Sequence, residues 1–363
     1  MELPQIDNYQ NLFLNDIHLL DVRAPLEFAQ GAFPCSANYP LMSDEDRHLI
    51  GLRYKECGQD EAIKLGYERV SGDVKLTRTN HWKQFINQHP QGALYCFRGG
   101  LRSRISQQWI YETTGIIYPR IKGGYKALRR YLLTELENAL NTVQFTILSG
   151  RTGSGKTLLL NKIKNMIDLE GIYHHRGSAF GNHVTPQPRQ IDIENSLSIA
   201  LLKQRHLEND KLVLEDESAN IGSRRLPEHL IQVMKVAPLV ILETSLDERV
   251  ENIFDEYINL SLQEYQNNIG VELGFTHWSN NLSIAFDKIK RRLGGQRYTE
   301  LKSLYNKAIS SHINQNNPLQ HKLWIRSLLK DYYDPMYDYQ LAKKNDRLIF
   351  RGNQNEVLAF FVN

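Results

Sequence analysis

The chain has 363 residues, 41% hydrophobic and 23% charged, with 44 Lys and Arg against 41 Asp and Glu for a formal net charge of +3. That length fits about two domains of roughly 150 residues, and such ordinary usage excludes a disordered or collagen-like chain. Three irregularly spaced cysteines argue against a disulfide framework or a zinc site; with no signal pattern and no apolar run near the roughly 20 residues of a membrane span, the expected setting is cytoplasmic, without a membrane partner.

The first third alternates strand and helix signals. Residues 17–22 predict a buried strand ending in polar loop residues. Residues 93–95 predict a short strand that feeds directly into Cys96. Beyond it, Ile105 and Trp109 lie four apart and share one helix face. Residues 116–118 predict another strand, and Gly123 with Gly124 a turn. Leu128, Tyr131, Leu132, Leu136 and Ala139 predict an amphipathic helix that closes the first domain or bridges to the second.

A second domain opens with a strand at 145–148. A helix from about Lys156 is expected to carry Leu159, Leu160, Ile163, Met166 and Ile167 on one stripe. Strands follow at 212–214 and 239–242, then a long polar helical region over 246–339, a strand at 347–350 and a closing helix over 355–362. Strands alternating with helices imply a parallel sheet covered on both faces. The expected fold class is α/β, with domains at 1–138 and 139–363 and a helical C-terminal region.

Two anion-binding loops carry the chemistry. The first is Cys96-Phe97-Arg98-Gly99-Gly100-Leu101-Arg102-Ser103. Nearby cations and a helix start favour a cysteine thiolate. Arg98 and Arg102 supply the cations, and Gly99 and Gly100 let backbone N–H groups turn inward on a tetrahedral anion. Cys96 is therefore the expected nucleophile, whereas Cys35 and Cys57 are read as buried structural cysteines.

The second loop, residues 150–157, matches G-x-x-x-x-G-K-[ST] through Gly150, Gly155, Lys156 and Thr157, with a further glycine at Gly153. Its backbone N–H groups reach phosphate oxygens, Lys156 adds a point charge and Thr157 can bind Mg²⁺. ATP or GTP is the default ligand, and any diphosphate fits the same cradle. Of the acids at 215–217, Asp216 is assigned to the site, and Glu217 is left open between the site and a surface turn. His174 and His175 lack a third ligand nearby and are not read as metal ligands, so no metal centre is predicted. Arg176 is read as a phosphate or RNA contact. Basic clusters at 98–104, 120–130 and 288–297 fit a polyanionic partner.

The first 135 residues resemble a rhodanese domain. The resemblance rests on Leu20-Asp21-Val22-Arg23-Ala24-Pro25-Leu26-Glu27-Phe28, Gly31-Ala32-Phe33-Pro34, Ala37-Asn38-Tyr39-Pro40, the Cys96 loop and Gly123-Gly124-Tyr125. One departure is that five residues separate Cys96 from Arg102, the spacing of cysteine phosphatases. A longer loop suits a larger, phosphate-like oxyanion. Tyr95, where those phosphatases carry a histidine, speaks against phosphatase action.

With His175-Arg176-Gly177-Ser178-Ala179-Phe180-Gly181, Leu214-Glu215-Asp216-Glu217-Ser218, Arg292-Leu293-Gly294-Gly295 and the stretch at 332–339, the chain resembles the tRNA 2-selenouridine synthase family nearly end to end. That resemblance implies a rhodanese-like domain fused to a P-loop domain. It implies S-geranylation of a wobble 2-thiouridine in tRNA by geranyl diphosphate, then replacement of the geranylthio group by selenium from selenophosphate. The cysteine, here Cys96, is implied to hold selenium as a selanyl-cysteine, and no tightly bound cofactor is implied. The alternative is a rhodanese-type sulfurtransferase fused to an NTP-dependent kinase or GTPase.

Overall fold

The computed structural model describes residues 3–207 and 210–362. They form two compact units. The first runs to Ala139 and takes in Arg189–Lys203; the second holds Leu140–Pro188 and the described residues from Gln204 onward. Arg189–Lys203 thus crosses the 138/139 boundary expected from sequence and lies with the first unit.

The first unit is built on five short parallel strands, β1 (Gln5–Ile6), β2 (Leu19–Asp21), β3 (Ser36–Asn38), β4 (Ala93–Tyr95) and β5 (Arg120–Ile121), in the order β1-β5-β4-β2-β3. Central β2 and β4 are buried at every position, as parallel strands covered on both faces must be. The strand expected at 116–118 is absent, and β5 begins at Arg120. Pro119 has no N–H to give a ladder. Its carbonyl accepts from Leu94 N at 2.9 Å, and the apolar signal belongs to the buried ring of Tyr118.

One face of this sheet buries Trp82, Phe85, Ile86 and Trp109 against Leu20 and Leu94. The other buries Leu128 and Leu132 of helix Gly124–Thr142 with Phe13 and Phe33. Ile199 and Leu202 of helix Gln190–His206 complete that second layer. Polar ties hold the helix in place: Asn195 Nδ2 donates to Ala32 O at 2.7 Å, Arg129 donates to Asn195 Oδ1 at 2.8 Å, and Arg129 also pairs with Glu194.

The second unit carries β6 (Gln144–Gly150), β7 (Met166–Ile167), β8 (Lys211–Glu215), a small antiparallel ribbon of β9 (Asn220–Ile221) and β10 (Arg224–Arg225), β11 (Leu239–Leu242) and β12 (Leu348–Gly352). The main sheet has the order β12-β11-β6-β8-β7 and is parallel throughout. The helix expected to run from Lys156 through Ile167 ends at Leu160. Tight bonds from Lys162 N to Leu159 O and from Ile163 N to Leu160 O close it, and Met166–Ile167 pairs with Val213–Leu214 as an edge strand. A short apolar run fits either period, so pattern alone does not separate the two.

The helices from Leu246 to Ala342 form a second core around Trp278, Phe286 and Trp324, none of them exposed. Trp278 Nε1 donates to Tyr257 O at 3.0 Å, so the buried indole is satisfied. Among the described residues no helix is long and apolar enough to cross a membrane.

Candidate functional site

In the first unit, Tyr95 pairs in register with Asp21, which places Cys96 at the carboxyl edge of the sheet, where ligands of open parallel sheets bind. The loop is shaped from beneath by the Gly123-Gly124 turn. Gly124 has φ +58°, and a Cβ there would lie 2.2 Å from Cys96 O and 2.5 Å from Gly99 N. Close approach lets Tyr125 N donate to Cys96 O at 2.9 Å and Lys126 N to Phe97 O at 3.0 Å. Arg120 holds the far side through Gly99 O at 2.9 Å.

Helix Leu101–Thr114 then starts after Gly100, whose missing side chain caps nothing. Its first-turn N–H groups are therefore open to an anion. Cys96 is buried, and its Sγ lies 3.3 Å from Ser103 Oγ, whose hydroxyl donates to Gly100 O at 3.0 Å.

A cleft of about 600 Å³ opens over this loop, walled by Arg23, Glu27, Cys96, Arg98, Arg102 and Tyr125. Its arginines differ in freedom. Arg102 forks onto Glu27 with N–O distances of 2.5 and 3.1 Å, and Arg47 reaches the same carboxylate at 3.2 Å. Burial pushes the Glu27 carboxyl up, but the Arg102 guanidinium outweighs it and holds the group below the usual range. Arg23 is fixed by Asp21 at 2.6 Å and lies over the Tyr125 ring at 4.0 Å. Arg98 is exposed and has no carboxylate partner among the described residues. The structure thus gathers Cys96, Arg98, Gly99, Gly100 and Arg102 into one cradle. Glu27, Arg23 and Ser103 are supporting residues whose roles the sequence left unassigned. Cys35 and Cys57 are exposed, against the expectation of burial: Cys35 occupies a turn at φ +60° and Cys57 ends a surface helix.

In the second unit, residues 150–157 follow β6, with Gly150 in register with Leu242. Gly153 at φ +78° lets the loop lie against Ile253, where a Cβ would come within 2.7 Å of Cγ1. Lys156 Nζ donates to Gly150 O at 3.1 Å. Thr157 Oγ1 stands 3.1 Å from Glu215 Oε1 and 3.2 Å from Glu170 Oε2. The carboxylates of Glu170, Glu215 and Glu217 converge within 4.8 Å of one another. Burial pushes all three carboxyls up; the charge of Glu170 adds to it at Glu215 and at Glu217, which rises to about 8, while Lys156 opposes it. Three crowded oxygen donors beside a P-loop threonine suit a hard divalent cation such as Mg²⁺.

Asp216 stands elsewhere. Its carboxylate accepts from Ser149 Oγ at 2.6 Å and from Lys344 Nζ at 2.6 and 2.8 Å. β8 delivers Glu215 to Thr157, and the residue after the strand turns to the other side. Arg176 also faces acids: Glu264 at 2.8 Å and Glu256 at 3.6 Å. His174 and His175 part company. His174 stacks on His183 at 4.1 Å, near Glu264, whose charge Arg176 already neutralises. His175 is buried, and burial pushes its imidazole down to about 4.

The residues at 332–339 clamp the P-loop. Asp334 takes both Arg249 nitrogens at 2.7 Å, and the same guanidinium reaches Thr152 O at 3.3 Å. Asp338 holds Arg151 at 2.6 Å, and Asn252 Nδ2 donates to Gly153 O at 2.9 Å. Phe180, packed on Phe286 and Trp324, pins the loop at 175–181. Gly177 carries that loop against Glu170 and Glu217, with no room for a Cβ. Of the basic clusters, Arg129 is engaged with Glu194, whereas Lys290, Arg291 and Arg292 form the exposed last turn of helix Val271–Leu293.

A phosphate loop on a central parallel strand, with a buried acid ending the neighbouring strand, defines a P-loop α/β protein; the first unit adds a thiol cradle of its own. Residues 143–363 match the family described as tRNA 2-selenouridine synthase AAA domain. A tRNA 2-selenouridine synthase of Marinobacter nauticus is 52% identical over 96% of this chain and 95% of its own. Proteins of that name from Hahella chejuensis and from a Sulfurovum species are 48% and 46% identical, covering 98% and 99% of this chain and 93% and 98% of their own. The chain belongs to the tRNA 2-selenouridine synthase family.

Proposed function

We propose that this protein is a transferase that exchanges sulfur for selenium in a wobble 2-thiouridine of tRNA, in the cytoplasm. The observation that carries the reading is the pairing of an intact thiol cradle with an intact P-loop in one chain, each at the carboxyl edge of its own parallel sheet. The first unit acts as a rhodanese-like domain with a loop enlarged for a phosphorus-bearing donor.

The exchange runs in two steps. The thiocarbonyl sulfur attacks C1 of geranyl diphosphate; an S–C bond forms, the C–O bond breaks and diphosphate leaves with the electron pair. Selenium of selenophosphate then attacks C2 of the base, and geranylthiolate departs. Water cleaves the Se–P bond to give phosphate and the selenocarbonyl.

S-alkylation makes a poor leaving group a better one, which accounts for the use of a prenyl donor. The P-loop N–H groups and Lys156 hold the departing diphosphate, in the manner of preorganised donors aimed at developing charge. Mg²⁺, held by Thr157 with Glu215, Glu170 and Glu217, would supply further neutralisation of that diphosphate. Arg98, Arg102 and the first-turn N–H groups of helix Leu101–Thr114 orient selenophosphate beside Cys96, whose thiol gives its proton to the departing geranylthiolate and regains one from the water that cleaves the Se–P bond. Exposed cations such as Arg291 and Arg292 meet tRNA phosphates, so binding weakens steeply with salt.

Nucleoside mass spectrometry of 2-thiouridine tRNA given geranyl diphosphate, and of S-geranyl-2-thiouridine tRNA given selenophosphate, each with wild type and with Cys96→Ser, tests the reading. Geranylation survives in Cys96→Ser and selenation does not. Loss of both steps would remove the division of labour, and hydrolysis of ATP or GTP with no change at thiouridine would favour a sulfurtransferase fused to a nucleotide-dependent enzyme.

A further inference from the structure

Beside the thiol cleft lies a second, larger chamber of about 790 Å³, in the size range of small-molecule sites. Its floor is apolar and buried: Leu41, Met42, Ala62, Val70 and Trp109. Its outer wall comes from two adjacent helices, Asp44–Cys57 and Gln59–Arg69, and leaves large apolar side chains open to solvent. Leu52 is 40% exposed, Tyr54 57% and Tyr67 48%. Contiguous exposed apolar surface around a concavity marks a binding site.

Two glycines sharpen the point. Gly51 and Gly66 sit inside these helices and line the chamber. Neither has the positive φ that would require glycine; a Cβ on Gly51 would meet open space and one on Gly66 would make only an ordinary 3.6 Å contact with Ile50. A mid-helix glycine destabilises by roughly 0.5–1 kcal/mol relative to alanine, and local geometry gives nothing in return. What their small size does give is room in the chamber.

The chamber and the thiol cleft share Arg47, Arg98, Leu101 and Arg102. A ligand with its polar, reacting end at Cys96 therefore has an apolar room for a hydrocarbon arm on the other side of a cationic partition. We infer that this chamber receives the hydrocarbon chain of an S-alkylated base, and the thiol it departs as, while the base reacts at Cys96. The assignment rests on the proposed exchange, in which an alkylthio group is displaced at the thiol cleft. It makes the first unit selective for long apolar leaving groups, since short ones leave the apolar wall in water.

The test uses the full-length protein and Gly51→Leu, with Gly66→Leu as the second variant, in two assays. The first is direct binding of geranylthiol by titration calorimetry, which requires no turnover. The second is selenophosphate-dependent conversion of tRNA bearing S-geranyl- or S-methyl-2-thiouridine. Wild type is expected to bind geranylthiol and to convert the geranyl substrate at least about tenfold faster in kcat/KM. Gly51→Leu is expected to lose about tenfold or more in both measures while keeping its rate on the methyl substrate. Binding that Gly51→Leu abolishes supports the chamber even if neither substrate is converted, in which case the exchange at Cys96 is what fails. Equal wild-type rates on the two substrates, unchanged binding in both variants, or an equal fall on geranyl and methyl substrates would overturn the assignment. So would a loss of tRNA affinity alone, which would make the chamber a macromolecular contact.

Discussion

Arg102 grips Glu27 through two nitrogens, at 2.5 and 3.1 Å, from the first turn of a helix 75 residues away in sequence. The arginine that completes the thiol cradle is thereby held in one rotamer, and part of its charge is answered before any donor arrives. Glu27→Gln keeps the side-chain shape and removes the ion pair. It should lower stability by about 1–3 kcal/mol, the usual size for a charged hydrogen bond left unmade. It should slow selenation about tenfold and leave geranylation untouched. Thermal melts with donor-resolved assays check this; an equal fall in both steps would show that Glu27 acts only through the fold.

Lys156→Ala should abolish geranylation while leaving selenation of tRNA already carrying an S-geranyl group near wild-type rates. The variant removes the cation that, in the proposed exchange, faces the departing diphosphate. If it spares geranylation and stops selenation, the P-loop does not serve the prenyl donor.

Glu170, Glu215 and Glu217 repel one another in a buried place, so a neutral replacement relieves strain. Glu215→Gln should raise the melting temperature in EDTA. Wild type should gain stability on adding MgCl₂, because a ligand that binds only the native state stabilises it, and Glu215→Gln should gain much less. A variant that melts lower in EDTA and responds equally to Mg²⁺ would contradict the crowding.

Arg249 is buried, and Asp334 is its carboxylate partner at 2.7 Å. Asp334→Asn leaves a buried guanidinium without a counter-charge, a loss of about 3–5 kcal/mol. Because Arg249 also steadies Thr152 O, diphosphate affinity should fall too. Calorimetry of unfolding and of inorganic diphosphate binding measures the two effects.

His321 is fully buried and accepts from Trp324 Nε1 at 2.9 Å on Nδ1, so its proton sits on Nε2. Burial, reinforced by His312, pushes the imidazole down to about 3. A folded value below the unfolded one of about 6.5 means that the unfolded chain takes the proton first. Stability therefore falls as pH drops from about 6.5 toward 3, with this residue adding up to about 1.4 kcal/mol per pH unit. His321→Asn keeps an acceptor for the indole and should flatten that slope. Tryptophan fluorescence on melting at several pH values would read it, and identical slopes would refute it.

The sequence showed the loops better than their surroundings. Glycines, Lys156 and Cys96 are read by spacing because backbone conformation depends on immediate neighbours. Partners such as Glu27 for Arg102, or Asp334 for Arg249, are set by how distant segments meet, and no local pattern encodes that. Asp216 illustrates the limit: of three consecutive acids, Glu215 and Glu217 turn toward Glu170 and Asp216 turns away, and the register of Leu148 with Glu215 decides which side faces Thr157. The helix at 156–160 was overextended because Met166 and Ile167 satisfy a helical stripe and an edge strand equally well. The chamber beside the thiol cleft left no motif, only two glycines in helices that had no conformational need of them.

Ile199 and Leu202 belong to the core of the first unit, yet they are separated from the rest of it by 49 residues that fold elsewhere. The ribosome must therefore release nearly two hundred residues before that core can close, and the β-layer bearing Cys96 waits half-covered until then. A fragment ended at residue 138 would carry the same wound permanently, so no single cut yields the thiol cradle as a free-standing piece.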